Sequence, residues 1–93
     1  MNRQVVEELI VELNPDALFI DGFDEAIIGI AERSDIGALI VYDEDKIISK
    51  LVDEMSGDES DDEKYEMAIE YYEFNIKGSW VGENGPLIVR TKF

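Results

Sequence analysis

Apolar positions recur along this chain in two periods. In residues 2–13, Val5, Val6, Leu9, Ile10 and Leu13 fall at i, i+1, i+4, i+5 and i+8, while Glu7, Glu8 and Glu12 take the other side. That spacing predicts a helix from Asn2 to Leu13. Pro15 ends it, because a residue before proline, here Asn14, is pushed out of the α region. Ala26–Ala31 and Ala38–Val41 are short β-rich runs separated by "ERSDIG", which reads as an antiparallel hairpin. Phe23, Ile27 and Ile30 would also share one helical face, but Gly29 and the density of isoleucine favour strand. "DG" at Asp21-Gly22 marks a turn before the hairpin.

Helical spacing returns in "YDEDKIISKLVDEM", with Ile47, Ile48, Leu51, Val52 and Met55 on one side and Lys46 and Lys50 on another. Asp43 is the expected N-cap, with Glu44 and Asp45 in the first turn, where the helix dipole favours negative charge. "SGDESDDE" reads as a solvated acidic loop. Ser60 or Asp61 is expected to cap a third helix, since Glu63 sits in capping-box spacing after Ser60. Tyr65, Ala68, Ile69, Tyr72 and Ile76 form its apolar stripe, and Met67, Tyr71 and Phe74 widen that stripe. Gly78 suits a C-cap, and "PLIVRTK" a closing strand that tolerates Pro86 at its start.

The order α-β-β-α-α-β predicts one α+β domain over residues 1–93. Its architecture would be a three-stranded, mainly antiparallel sheet with the helices on one face and the closing strand on a hairpin edge. Val5, Leu9, Leu39, Val41, Ile48, Leu51, Ile69, Tyr72 and Ile88 are the expected core.

Composition narrows the chemistry. No cysteine and no histidine occur in the 93 residues. Disulfide, thiolate and zinc–sulfur chemistry are therefore absent, as is the commonest general base. No apolar run reaches the roughly 18 residues that span a bilayer, and "MNRQVVEELIVELNP" lacks a signal-peptide core, so the expectation is a cytoplasmic protein. Twenty-three acids against eight bases give a net charge of -15. Such a surface repels nucleic acid, anionic lipid and copies of itself, and favours a basic protein partner.

Motif searches give no catalytic set. "GENG" precedes a strand rather than opening a helix, so it is no dinucleotide fingerprint. The acidic loop lacks EF-hand spacing, although clustered carboxylates in "GDESDDE" attract hard cations. With so many acids, some carboxylate pair always has a catalytic separation, and nothing nominates a nucleophile, base and orienting group together. The expectation is a protein without enzymatic activity, cofactor or metal. Asp21, Asp43 and Glu83 stand at junctions between elements, where they either cap the backbone or form a small acidic pocket. Trp80 either closes the core with its indole N–H bonded to a carbonyl or anchors a partner from a rim. Gly78, Gly82 and Gly85 let the chain leave a helix and start a strand, with no ligand required.

"NPDALFIDGFDEAIIGI", "VYDEDKII" and "AIEYYEFNIKGSWVGENGPLIV" together resemble a widespread set of small, acidic, largely uncharacterised tailed-phage proteins. The likeness covers about Asn14 to Val89, and the chain departs from the pattern in its more acidic "SGDESDDE" segment. The resemblance implies a phage accessory protein acting inside an infected bacterium. It carries over no activity and no site residues.

Three functions fit these features. One is an interaction protein occupying the nucleic-acid site of a basic host defence enzyme, such as a restriction or CRISPR component. A second is a small metal-dependent or ligand-binding module built on Asp21, Asp43 and Glu83, and a third is a virion or assembly component. For the first, Asp58, Glu59, Asp61, Asp62, Glu63, Glu66, Glu70 and Glu73 run from loop to helix as an acidic ridge that imitates phosphates. Size scaling gives a diameter of roughly 32 Å, a length over which duplex DNA carries about 19 phosphates, against the 15 net charges here.

Overall fold

The computed structural model describes residues 2–55, 57–78 and 82–92. Among them, helix α1 (Arg3–Leu13) leads through a 3-10 turn (Asp24–Ala26) to strands β1 (Ile27–Arg33) and β2 (Gly37–Asp43). Helices α2 (Glu44–Glu54) and α3 (Asp61–Tyr72) follow, then a π-helical turn (Glu73–Lys77) and strand β3 (Leu87–Val89). The order α-β-β-α-α-β is the one the periodicity predicts.

Isoleucine density decides β1. Its β-branched residues pair antiparallel with β2 from Ile27↔Tyr42 to Arg33↔Gly37. A bulge between Ile27 and Gly29 leaves Ile28 out of register, and that side chain is exposed. Gly37 closes the hairpin at φ 93°, and a Cβ there would run into the Leu13 carbonyl. The glycine thus serves both the turn and the close seating of the end of α1.

β3 takes the free edge of β2, parallel to it, from Val41↔Leu87 to Asp43↔Val89. The sheet is therefore mixed, with one antiparallel and one parallel pair, in the order β1-β2-β3. A long connection carrying both α2 and α3 separates β2 from β3, the kind of crossover that a parallel pair requires.

Alternation along β2 sorts its side chains. Ala38, Ile40 and Tyr42 join Val6 and Ile10 of α1, Ile47, Ile48 and Leu51 of α2, and Ala68 and Tyr72 of α3 in one buried cluster. Leu39, on the other side, is buried outside that cluster and lines an open groove of about 640 Å³ with Leu18, Ile20, Ile76 and Leu87.

Two expectations about the core need correction. On α1, Val5 and Leu9 are 47% and 48% exposed while Val6 and Ile10 are buried. The helix carries two adjacent apolar lines and seats the second against the sheet. On α3, Met67, Tyr71 and Phe74 do not widen the core stripe: they are 46%, 51% and 84% exposed. At about 100° per residue the centre of these three lies roughly a quarter-turn or more from the packed line of Ala68 and Tyr72. Leu39, Ile48, Leu51 and Tyr72 are buried as expected, and Val41, Ile69 and Ile88 are partly so.

The molecule is longer than a compact chain of this size. Its radius of gyration is 14.3 Å and its extents are 46 × 24 × 23 Å, where scaling leads one to expect about 12 Å.

Candidate functional site

Ser60 starts the acidic ridge. Its hydroxyl accepts from the Glu63 N–H at 3.3 Å and fixes the first turn of α3. Asp61, Asp62 and Glu63 occupy that turn, where the N-terminal dipole favours carboxylates. Glu63, Glu66, Glu70 and Glu73 continue at spacings of three and four along one side of the helix. Asp58 and Glu59 extend the charge into the preceding loop. Asp61 and Asp62 turn toward α2, where they line a shallow recess with Ser49, Asp53 and Tyr65.

All eight acids are exposed, and among the described residues only Glu73 has a basic partner, Lys77 at 3.8 Å. Five of the other seven bases are engaged elsewhere. Arg3 holds Glu7 and Asp24, Arg33 holds Asp35, and Lys50 holds Glu25. Arg90 holds Glu44 and Lys92 holds Asp45. Lys46 and Lys64 have no ion pair among the described residues, and neither lies on the ridge row. Apart from Glu73, the ridge is thus left uncompensated among the described residues.

The three junction acids do not meet. Asp43 is buried and stands at the N-cap position of α2, yet its side chain caps nothing and instead accepts from the Thr91 hydroxyl at 2.6 Å. Glu83 is exposed in the Gly82–Gly85 turn, beside Asn84, which Asn14 ties to the Ala38 end of β2. Asp43 lies five positions along the strand from Ala38, about 17 Å. Asp21 is exposed in its turn next to Ile20, whose N–H donates to the Tyr42 hydroxyl. Tyr42 and Asp43 point to opposite faces of the sheet. The expected pocket of Asp21, Asp43 and Glu83 is therefore not assembled. No three acids among the described residues come close enough to share a metal ion, those of "GDESDDE" included. Trp80 lies outside the described residues.

Sequence reasoning missed two polar clusters. Residues 43–45, "DED", face residues 90–92, "RTK": Glu44 takes Arg90 at 3.2 Å, Asp43 takes Thr91, and Asp45 takes Lys92 at 3.1 Å. The complementary triplets were the available signal. The Tyr72 hydroxyl donates to Glu44 at 2.8 Å. Burial, then that bond to a carboxylate, raise its pKa. The second cluster is the buried Asn14, whose amide donates to the Ala38 carbonyl and to Asn84 Oδ1, each at 2.9 Å. The Leu18 N–H also donates to the Asn84 carbonyl, at 2.9 Å. "GENG" is thereby a tether between α1 and the start of β3.

Compared with protein-family models, with curated proteins and with solved structures, the chain shows no significant match. Among the described residues, no helix is long and apolar enough to cross a membrane.

Proposed function

We propose that this chain is a non-enzymatic interaction protein that presents the acidic side of α3 to a basic protein surface built to hold nucleic acid. The observation that carries the proposal is the ridge itself: exposed Glu63, Glu66, Glu70 and Glu73 along one side of the helix, with exposed Asp58 and Glu59 in the loop before it, and among the described residues only Glu73 of these six has a basic partner. An uncompensated row of like charge destabilises its own helix and gains most from an external cation surface. The elongated shape changes the kind of nucleic acid imitated. Fifteen net charges over 46 Å is one per about 3.1 Å, close to the ~3.4 Å per charge of one DNA strand and half the density of a duplex. The resemblance to tailed-phage proteins supplies a setting: a phage accessory protein in the bacterial cytoplasm, occupying the strand-binding channel of a restriction or RNA-guided nuclease.

Competition between this protein and single-stranded or duplex DNA for a purified RNA-guided nuclease complex tests the reading. Mutual exclusion is expected, weakening steeply with salt and abolished by Glu66→Lys with Glu70→Lys. Simultaneous binding of protein and DNA would exclude it.

A further inference from the structure

The exposed apolar stripe beside the ridge has no function in a purely electrostatic decoy. Met67, Tyr71 and Phe74 stand at i, i+4 and i+7, the spacing by which one helix face seats anchors in a groove. Phe74, at 84%, is the most exposed of the large apolar side chains among the described residues. Methionine and aromatic residues are also the types enriched in the buried centres of protein interfaces. Phe74 lies in the π-helical turn, a geometry that recurs at functional sites. Gly78 makes that turn feasible. Its N–H donates to the Glu73 carbonyl at 2.9 Å, and a Cβ on Gly78 would stand 2.7 Å from the same oxygen. Ile76, in the same turn, packs against the core while Phe74 faces solvent.

Charge says what covers the stripe. Glu63, Glu66, Glu70 and Glu73 run alongside it, roughly a quarter-turn round the helix. A second copy would bring another ridge against this one, and nucleic acid or anionic lipid would bring phosphates. We infer that Met67, Tyr71 and Phe74 are the anchors of the interface proposed above, seated in an apolar groove of the partner whose rim carries lysine or arginine. The inference rests on the reading of α3 as the docking face and adds that affinity comes from the stripe, while the ridge sets partner choice and rate of encounter.

Two synthetic probes of equal charge separate these contributions: an amphipathic helical peptide with leucine on one face and lysine on the rest, and oligolysine. The amphipathic peptide should bind at least about tenfold more tightly, as burial of an interface anchor requires. Met67→Ser, Tyr71→Ser and Phe74→Ser together should remove that advantage and leave oligolysine binding unchanged. Exposed substitutions of this kind leave stability nearly untouched, which the thermal midpoint checks. Phe74→Ser alone serves if the triple variant unfolds. Glu66→Lys with Glu70→Lys should weaken both peptides and flatten the salt dependence. Equal affinity for the two peptides, or an unaffected triple variant, overturns the anchor while the ridge reading stands. Indifference of both peptides to the charge reversals overturns the ridge reading as well. Concentration-dependent sedimentation of the protein alone, lost in the triple variant, would assign the stripe to a second copy and overturn the inference too.

Discussion

Asn14 joins three parts of the chain that are distant in sequence. Its amide nitrogen donates to Ala38 and Asn84, and its oxygen accepts from the Asp16 N–H at 3.1 Å. Asn14→Ala leaves a buried carbonyl without its donor and should cost about 1–3 kcal/mol, measurable by urea unfolding. A loss well below that range would mean the Asn84 turn holds without the side chain. The two buried tyrosines set a different limit, on pH. Burial raises the pKa of Tyr42, and burial with the bond to Glu44 raises that of Tyr72. Near pH 10 the unfolded chain loses both phenolic protons while the folded chain keeps them. Their contribution to stability is therefore complete below about pH 10 and falls as pH rises beyond it. Lys50, raised by its bond to Glu25, acts in the same direction. The thermal midpoint should drop on the alkaline side, and the drop should be shallower in Tyr72→Phe. Equal alkaline slopes for the two proteins would refute the assignment.

At the scale of the element, α1 offers a comparison within a single helix. Ile10 is 4% exposed and Leu9, one position earlier, is 48% exposed. Ile10→Ala should cost about 2–5 kcal/mol and Leu9→Ala less than about 1 kcal/mol, read from denaturant midpoints. Similar losses would show that both lines of α1 are buried in solution. Periodicity could not make that distinction, because both lines are apolar and spacing gives the width of a stripe but not its centre. The same limit explains α3, where Met67, Tyr71 and Phe74 continue the apolar character of the core line without packing on it. What the sequence did carry was the period itself. It placed the three helices, the hairpin and the Ser60 cap within a few residues. The parallel edge strand was not legible, since nothing local in "LIV" states a direction. Nor was the separation of Asp21, Asp43 and Glu83, which depends on tertiary packing that no local spacing states. The ridge acids could be read as a row, but only the tertiary structure shows that most of the bases are engaged elsewhere.

At the scale of the molecule, repulsion among 23 acids competes with a handful of surface ion pairs, each worth little. Screening should therefore favour the fold. Raising sodium chloride from low ionic strength toward 0.15 M, where the Debye length is about 8 Å, should raise the thermal midpoint. A fall would mean that attraction within the clasp of residues 43–45 and 90–92 outweighs the net charge. The parallel placement of β3 has a further consequence, for the order in which the chain folds. The hairpin closes between Arg33 and Gly37, four positions apart, whereas the β2–β3 pair joins Val41 to Leu87, 46 positions apart. Closing the longer loop costs about 2 kcal/mol more in chain entropy, so the hairpin should be formed at the folding barrier and β3 added after it. Ile40→Ala should then slow refolding, while Ile88→Ala mainly speeds unfolding, as stopped-flow chevrons would record. Equal slowing of refolding by both would place β3 inside the nucleus. On the expected order, the sheet opens first along β3, and the clasp around Glu44 acts as a latch on the rate of unfolding rather than as a guide to the fold.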